Sequence, residues 1–252
     1  MQRFFVEKHQ IDETGKTIRL TGGDYNHMKN VLRMKPGEEV WISDGDSLEY
    51  YCSVASYGEN EAVLHIYYAQ ETQYELPGQI FLFQGLPKGD KMELIIQKAV
   101  ELGAYAIIPV EMKRCVVKLD DKKADKKIAR WQQIAESAAK QSKRMIIPEV
   151  RPVMKLPQAL EAAGKLDVCF LPYECAEGMQ KTRELITSVK PGQRVGIFIG
   201  PEGGFEEAEV ALAQELANAQ ILSLGKRILR TETAGMTMLS VLMMHLEFCG
   251  CK

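Results

Sequence analysis

No C-x-x-C pair occurs in this sequence. Its six cysteines (Cys52, Cys115, Cys169, Cys175, Cys249 and Cys251) are scattered, and the four histidines (His9, His27, His65 and His245) do not gather beside them. A structural zinc site needs paired ligands at short spacing, so no metal is expected, and the thiols read as reduced ones in a reducing compartment. No apolar run approaches the roughly 18 residues that span a bilayer. The opening Met1-Gln2-Arg3-Phe4-Phe5-Val6 gives way to charge at Glu7 and Lys8, without the apolar stretch and small-residue cleavage site of a secretory signal. A cytoplasmic location without membrane contact is the expectation. Neither G-x-x-x-x-G-K-[ST] nor G-x-G-x-x-G is present, which argues against a nucleotide-binding α/β enzyme of the phosphate-loop or dinucleotide kind.

The 252 residues leave room for two modest domains or one large one, and 46% apolar and 26% charged residues fit a globular chain. The net charge of -2 is unevenly spread. Residues 1–76 hold 7 Lys/Arg against 13 Asp/Glu, whereas residues 111–155 hold 13 against 6. A polyanion would be attracted to the second stretch. Charge runs are also commonly solvated helix faces, so charge alone leaves both readings open.

Two patterns of hydrophobicity follow one another. Residues 1–76 read as β-rich: Thr17–Leu20 before Gly22-Gly23, Glu39–Ser43 before the turn Asp44-Gly45-Asp46, then Tyr50–Val54 and Ala62–Tyr68. One helix is expected over Asp24–Met34, and the short strands suggest a small barrel. A polar stretch from Glu71 to Pro77-Gly78 separates this part from the rest. Beyond it, apolar runs alternate with helical spacing: Ile80–Phe83, Asp90–Leu102, Tyr105–Val110, Lys126–Ser142, Met145–Val150, Pro157–Ala163, Asp167–Leu171, Met179–Val189, Arg194–Ile199, Glu206–Ala217, Ile221–Leu224 and Glu232–Phe248. Such alternation implies an α/β domain with a mostly parallel sheet, whose ligands sit beyond the strand C-terminal ends. The boundaries expected are 1–72, a linker at 73–78, and 79–252.

Three segments carry chemistry. Ile199-Gly200-Pro201-Glu202-Gly203-Gly204-Phe205 follows a strand and precedes a helix opening on Glu206, Glu207 and Glu209. Its glycines let backbone approach a ligand, while the acids would repel a pyrophosphate, so a neutral or cationic ligand suits it; a tight structural turn is the alternative. Leu224-Gly225-Lys226-Arg227-Ile228-Leu229-Arg230-Thr231-Glu232-Thr233-Ala234 gathers three cations, two hydroxyls and a carboxylate before the last helix. Thr231 or Thr233 is placed to cap that helix, which leaves Arg227 and Arg230 unexplained. Gly85-Leu86-Pro87-Lys88-Gly89-Asp90-Lys91-Met92-Glu93 offers Asp90 and Glu93 for capping and Lys88 and Lys91 for phosphates.

Taken together, these strings resemble the ribosomal RNA small-subunit (uracil-N3)-methyltransferase family. The likeness is carried in order by Arg3-Phe4-Phe5, by His27 with Val31-Leu32-Arg33, by KGDKMELIIQKAVELGA, by Arg130-Trp131 with Lys140-Gln141-Ser142-Lys143-Arg144, by IGPEGGF and by LGKRILRTETA. It implies a SPOUT-type parallel sheet with a C-terminal trefoil knot, an N-terminal PUA-like RNA-binding β-barrel and a homodimer with its sites near the subunit interface. The implied cofactor is S-adenosylmethionine, touching Leu171, Pro172, Tyr173, Ile199, Gly200, Pro201, Glu202, Gly203, Leu224, Gly225, Ile228, Leu229, Arg230, Thr231, Thr233 and Ala234. The implied reaction is methylation of uridine N3 in 16S ribosomal RNA of the small ribosomal subunit. Arg230 is the candidate to stabilise the uracil anion, and Glu202 or Glu232 the candidate proton acceptor; both carboxylates have the alternative of orienting loops. Candidate RNA contacts are Arg3, His27, Arg33, Lys88, Lys91, Arg114, Arg130, Lys143 and Arg144. The chain departs from the family pattern at Gly235-Met236, where a Pro is usual. Other readings are a methyltransferase of the same fold acting on transfer RNA or large-subunit ribosomal RNA, and a catalytically silent RNA-binding assembly protein.

Overall fold

The computed structural model describes residues 2–72, 74–176 and 178–250. The chain forms two compact units: residues 1–75 with 139–147, and residues 76–138 with 148–252.

The first unit contains β1 (Arg3–Phe5), β2 (Ile11–Asp12), β3 (Thr17–Thr21), α1 (Gly22–Asn26), β4 (Glu39–Ser43), β5 (Leu48–Tyr57) and β6 (Glu61–Glu71). They make one six-stranded sheet in the order β1-β4-β5-β6-β3-β2, antiparallel except for β1 beside β4. Among the described residues the strands pair as an open path and not as the closed ring a barrel implies, with end strands of three and two residues. Alternating residues point Phe4, Ile18, Leu20, Val40, Ile42, Tyr50, Cys52, Val54, Leu64 and Ile66 into one core. The single helix expected over Asp24–Met34 is α1 followed by a widened helical turn at His27–Val31, which inserts Met28 into that core. Residues 139–147 pack here through ion pairs. The Arg144 guanidinium meets Glu75 at 2.6 Å, Lys140 meets Asp24 at 2.6 Å, and Ser43 donates to the Met145 carbonyl at 3.0 Å. The strand expected from Met145 to Val150 is therefore only Glu149–Val150.

The second unit runs β7 (Gln79–Gly85), α2 (Lys91–Glu101), β8 (Ala104–Glu111), α3 (Asp121–Gln141, whose last residues belong to the first unit), β9 (Glu149–Val150), β10 (Met154–Lys155), α4 (Leu156–Ala163), β11 (Val168–Pro172), α5 (Met179–Thr187), β12 (Arg194–Ile199), α6 (Glu207–Ala217), β13 (Gln220–Leu222) and α7 (Thr231–Gly250). Its strands are all parallel, in the order β10-β8-β7-β12-β11-β13 with β9 against β8. β7, β8 and β12 are nearly all buried, as strands covered on both faces should be. α2 covers the sheet with Met92, Ile95, Ile96, Ala99 and Val100, one stripe at helical spacing. Asp90 does not cap α2 with its side chain, and Glu93 instead reaches Arg130 at 3.5 Å. Among the described residues no helix is long and apolar enough to cross a membrane.

Candidate functional site

A hollow of about 460 Å³ opens beyond the C-terminal ends of β11, β12 and β13. Its walls are the segments 172–174, 199–205 and 223–231, with Lys91 and Ala234 completing them. The volume falls in the range of roughly 300–1,000 Å³ usual for small-molecule sites. Of the sixteen residues expected to hold a cofactor, fourteen line it. Leu171 and Thr233 do not: Leu171 is a buried strand residue, and Thr233 lies exposed in the first turn of α7. The hollow is also lined by Lys91, Glu174, Gly204, Phe205, Ser223, Lys226 and Arg227, which lie outside the expected cofactor set although Gly204, Phe205, Lys226 and Arg227 belong to the two glycine-bearing strings.

The floor is fixed by close packing. A Cβ at Gly85, the last residue of β7, would stand 2.7 Å from the Pro201 nitrogen, so only glycine lets the 200–204 loop cross that strand end. A Cβ at Gly203 would meet that of Arg114 at 2.9 Å, and the Arg114 guanidinium donates to the Gly203 carbonyl at 2.9 Å. Thr231 ties three segments together. Its hydroxyl accepts from the fully buried Gln84 amide at 2.9 Å and donates to the Gly200 carbonyl at 2.6 Å. Thr231 therefore does not cap α7 with its hydroxyl. Despite Gly235-Met236, α7 runs unbroken from Thr231.

Lys91 lies between the two candidate carboxylates, 3.1 Å from Glu202 and 3.3 Å from Glu232. Glu202 also accepts the Lys88 backbone N–H at 3.1 Å. Burial pushes the Glu202 pKa up, but its own amide, the Lys88 amide and the Lys91 ammonium outweigh burial and hold it below the usual carboxylate value. The Lys91 pKa is raised: the hydrogen bond to Glu202 has the largest effect, and with Glu232 it outweighs burial, which acts in the opposite direction. Glu202 lines the hollow; Glu232 does not. Arg230 lines the hollow, is exposed and makes no ion pair among the described residues.

The candidate RNA cations separate into two groups. Arg3 is buried in an ion pair with Glu49 and donates to the Lys143 carbonyl, and Arg144 is buried against Glu75, so neither faces a phosphate. Arg114 braces the Gly203 loop, Arg130 pairs with Glu93, and Lys91 is bridged. His27 packs edge-on against Phe4 at 5.9 Å. Arg33, Lys88 and Lys143 are exposed, with no ion pair among the described residues.

A family model described as an RNA methyltransferase domain matches residues 74–243, and one described as an RNA methyltransferase PUA domain matches residues 20–67. The chain belongs to the RNA methyltransferase family. A Bacillus subtilis relative named ribosomal RNA small subunit methyltransferase E is 41% identical over 98% of each chain. A Neisseria gonorrhoeae protein of the same name, solved bound to S-adenosyl methionine, is 32% identical over 97% of each chain with a TM-score of 0.81. A Legionella pneumophila methyltransferase solved with bound SAM is 34% identical over 95% of this chain and 96% of its own, with a TM-score of 0.82. Within this RNA methyltransferase fold, the second unit supplies the parallel sheet at whose strand ends the hollow lies.

Proposed function

We propose that this RNA methyltransferase transfers a methyl group from S-adenosylmethionine to N3 of a uridine in 16S ribosomal RNA of the small ribosomal subunit. The hollow, shared by two glycine-bearing loops at neighbouring strand ends, is the observation that carries the reading. The names of the Bacillus and Neisseria relatives support the substrate, and the two SAM-bound relatives support the cofactor. The residues present fit this group. Gly225 lines the hollow at φ +111, and a Cβ built there meets nothing within 4 Å, so any larger residue would take space a ligand needs. The acids that open α6 do not line the hollow; its own carboxylates are Glu174 and Glu202.

Pro172, Tyr173, Gly200–Gly203 and Leu224–Thr231 would hold the cofactor, which when bound supplies an electrophilic methyl group on a sulfonium. Uracil N3 bears a proton at neutral pH, and its loss to bulk water spreads charge over N3, O2 and O4. Arg230 stabilises that anion. Glu202, with a lowered pKa and its oxygens on Lys88 and Lys91, is a poor proton acceptor and orients the loop instead. Glu232, also held by Lys91, has the same role at the start of α7. N3 lies on the Watson–Crick edge, so the uridine is bound unpaired or flipped.

Residues 1–72 act as the RNA-binding PUA-like domain, 73–78 as linker and 79–252 as the SPOUT domain with its trefoil knot. The enzyme works in the cytoplasm as a homodimer; the exposed row Val241, Met244 and Phe248 on α7 supports a covered face there. Mass mapping of methylated nucleosides in 16S ribosomal RNA, with and without this protein, tests the target. An unchanged N3-methyluridine content would sink it. Calorimetry with S-adenosylmethionine separates an enzyme from a silent RNA-binding protein, which need not bind it.

A further inference from the structure

The outer face of the first unit's sheet carries rings that neither the core nor the hollow uses. Trp41 in β4, Tyr51 in β5 and Tyr68 in β6 are register partners across three adjacent strands. Their centroids lie 4.9 Å (Trp41–Tyr51), 5.2 Å (Tyr51–Tyr68) and 6.0 Å (Trp41–Tyr68) apart, and Tyr67 joins Tyr51 at 5.6 Å. Aromatic cross-strand pairs stabilise a sheet by themselves. Here, however, Tyr67 and Tyr68 leave 51% and 48% of their surface in water, more than pairing requires.

Elsewhere in this unit rings are covered by the chain's own cations. Arg3 sits over Tyr74 at 5.5 Å, Lys29 over Tyr25 at 5.0 Å and Tyr57 at 5.6 Å, and Lys140 over Phe4 at 5.6 Å. Among the described residues none covers Trp41, Tyr51, Tyr67 or Tyr68. Arg3 and Arg19, whose strand positions alternate to this same face, are held by Glu49 and Glu61. Glu39, two residues before Trp41 and so on its side of β4, is exposed and makes no ion pair among the described residues. It accepts from the Tyr51 hydroxyl, which that hydrogen bond above all pushes up to about 12.

We propose that this face docks a cationic polypeptide segment, with arginine or lysine side chains lying on the Trp41, Tyr51 and Tyr68 rings and donating to Glu39. The rings stand too close together to admit an ion between them, so cations would rest on the outer surface, as the side chains of an extended chain can. Unpaired RNA also stacks on exposed aromatics. Its phosphates would here meet the Glu39 carboxylate, whereas the exposed Arg33 and Lys35, without an ion pair among the described residues, lie in the loop before β4, outside the sheet.

The test is a titration of the full-length protein with octa-arginine, followed by indole emission. Trp131 is buried, so a change reports on Trp41. Saturable binding is expected, weakened about tenfold in a Tyr51→Ser/Tyr68→Ser double variant and about threefold in Glu39→Gln. Glu39→Gln leaves the ring packing intact and keeps the test decisive if the double variant unfolds. Peptide affinity unchanged in Glu39→Gln, or in a folded double variant, overturns the proposal. So does a Trp41 response to oligouridylate that the double variant abolishes, which would make the face an RNA surface. Conversion of a dimer to a monomer by the double variant, seen in light scattering, would likewise assign it to a second copy of the chain.

Discussion

At the scale of the residue, two of the charged groups on the hollow, Arg230 and Glu202, are prepared for different work. Among the described residues Arg230 makes no ion pair, whereas Arg3, Arg114 and Arg144 are each engaged within the fold. An arginine left exposed beside a hollow is available to an anion that forms only during reaction. Arg230→Ala should therefore lower single-turnover methyl transfer by about 10²–10³-fold, with RNA affinity little changed. Near-normal turnover would remove Arg230 from the chemistry. Glu202 is the opposite case. Its pKa is lowered in the folded protein, so its contribution to stability is complete above the ordinary glutamate value of about 4.3 and is lost as pH falls through its folded value. The unfolding midpoints of the wild type and Glu202→Gln should differ near neutrality and converge as acid is added. A gap that persists through the acid range would show that the carboxylate charge does not brace the loop.

At the scale of the element, the site depends on Thr231 joining the ends of β7 and β12 to the start of α7. Thr231→Val keeps the shape but leaves the Gly200 carbonyl without its hydroxyl donor and the Gln84 amide with Gly85 alone. A loss of ~1–3 kcal/mol in urea unfolding is expected, together with weaker S-adenosylmethionine binding. Unchanged cofactor affinity would mean that the loop holds its shape without this link. Elements of this kind were legible where local pattern decides structure. Glu39–Ser43 and Arg194–Ile199 were read from alternation and apolar runs with the bounds they have, and the other long elements within a few residues. What was missed has no local signal. β1, β2 and β10 are two or three residues long and exist only because a longer strand lies beside them. The Glu202–Lys91–Glu232 bridge joins residues more than a hundred positions apart, and the Gln84–Thr231 bond spans 147. Spacing cannot announce such partners. Two contiguous strings supply most of the residues that line the hollow, so local pattern singles them out; their assignment to a cofactor rests on the family resemblance.

At the scale of the whole molecule, the uneven charge of the sequence has a partly internal explanation. Residues 111–155 looked like a polyanion track, yet Lys140 and Arg144 neutralise Asp24 and Glu75 inside the acidic first unit, and Arg130 neutralises Glu93. Residues 139–147 belong to that unit, so part of the basic excess balances the acids read in residues 1–76. Sequence counting treated every cation alike; burial separates them. RNA affinity should still fall with salt, but only cations free to meet phosphate release counterions, each adding about 0.7 to the log–log slope for single strands. Arg33→Ala and Lys143→Ala should therefore each flatten the slope by ~0.7 while leaving the unfolding midpoint nearly unchanged. Arg144→Ala should do the reverse: the slope stays, and the first unit loses stability because Glu75 is left without its partner. A filter-binding series across salt concentrations, with thermal unfolding of the same variants, distinguishes the two behaviours. If Arg144→Ala flattened the slope as much as Arg33→Ala, the division of the cations by burial would be wrong.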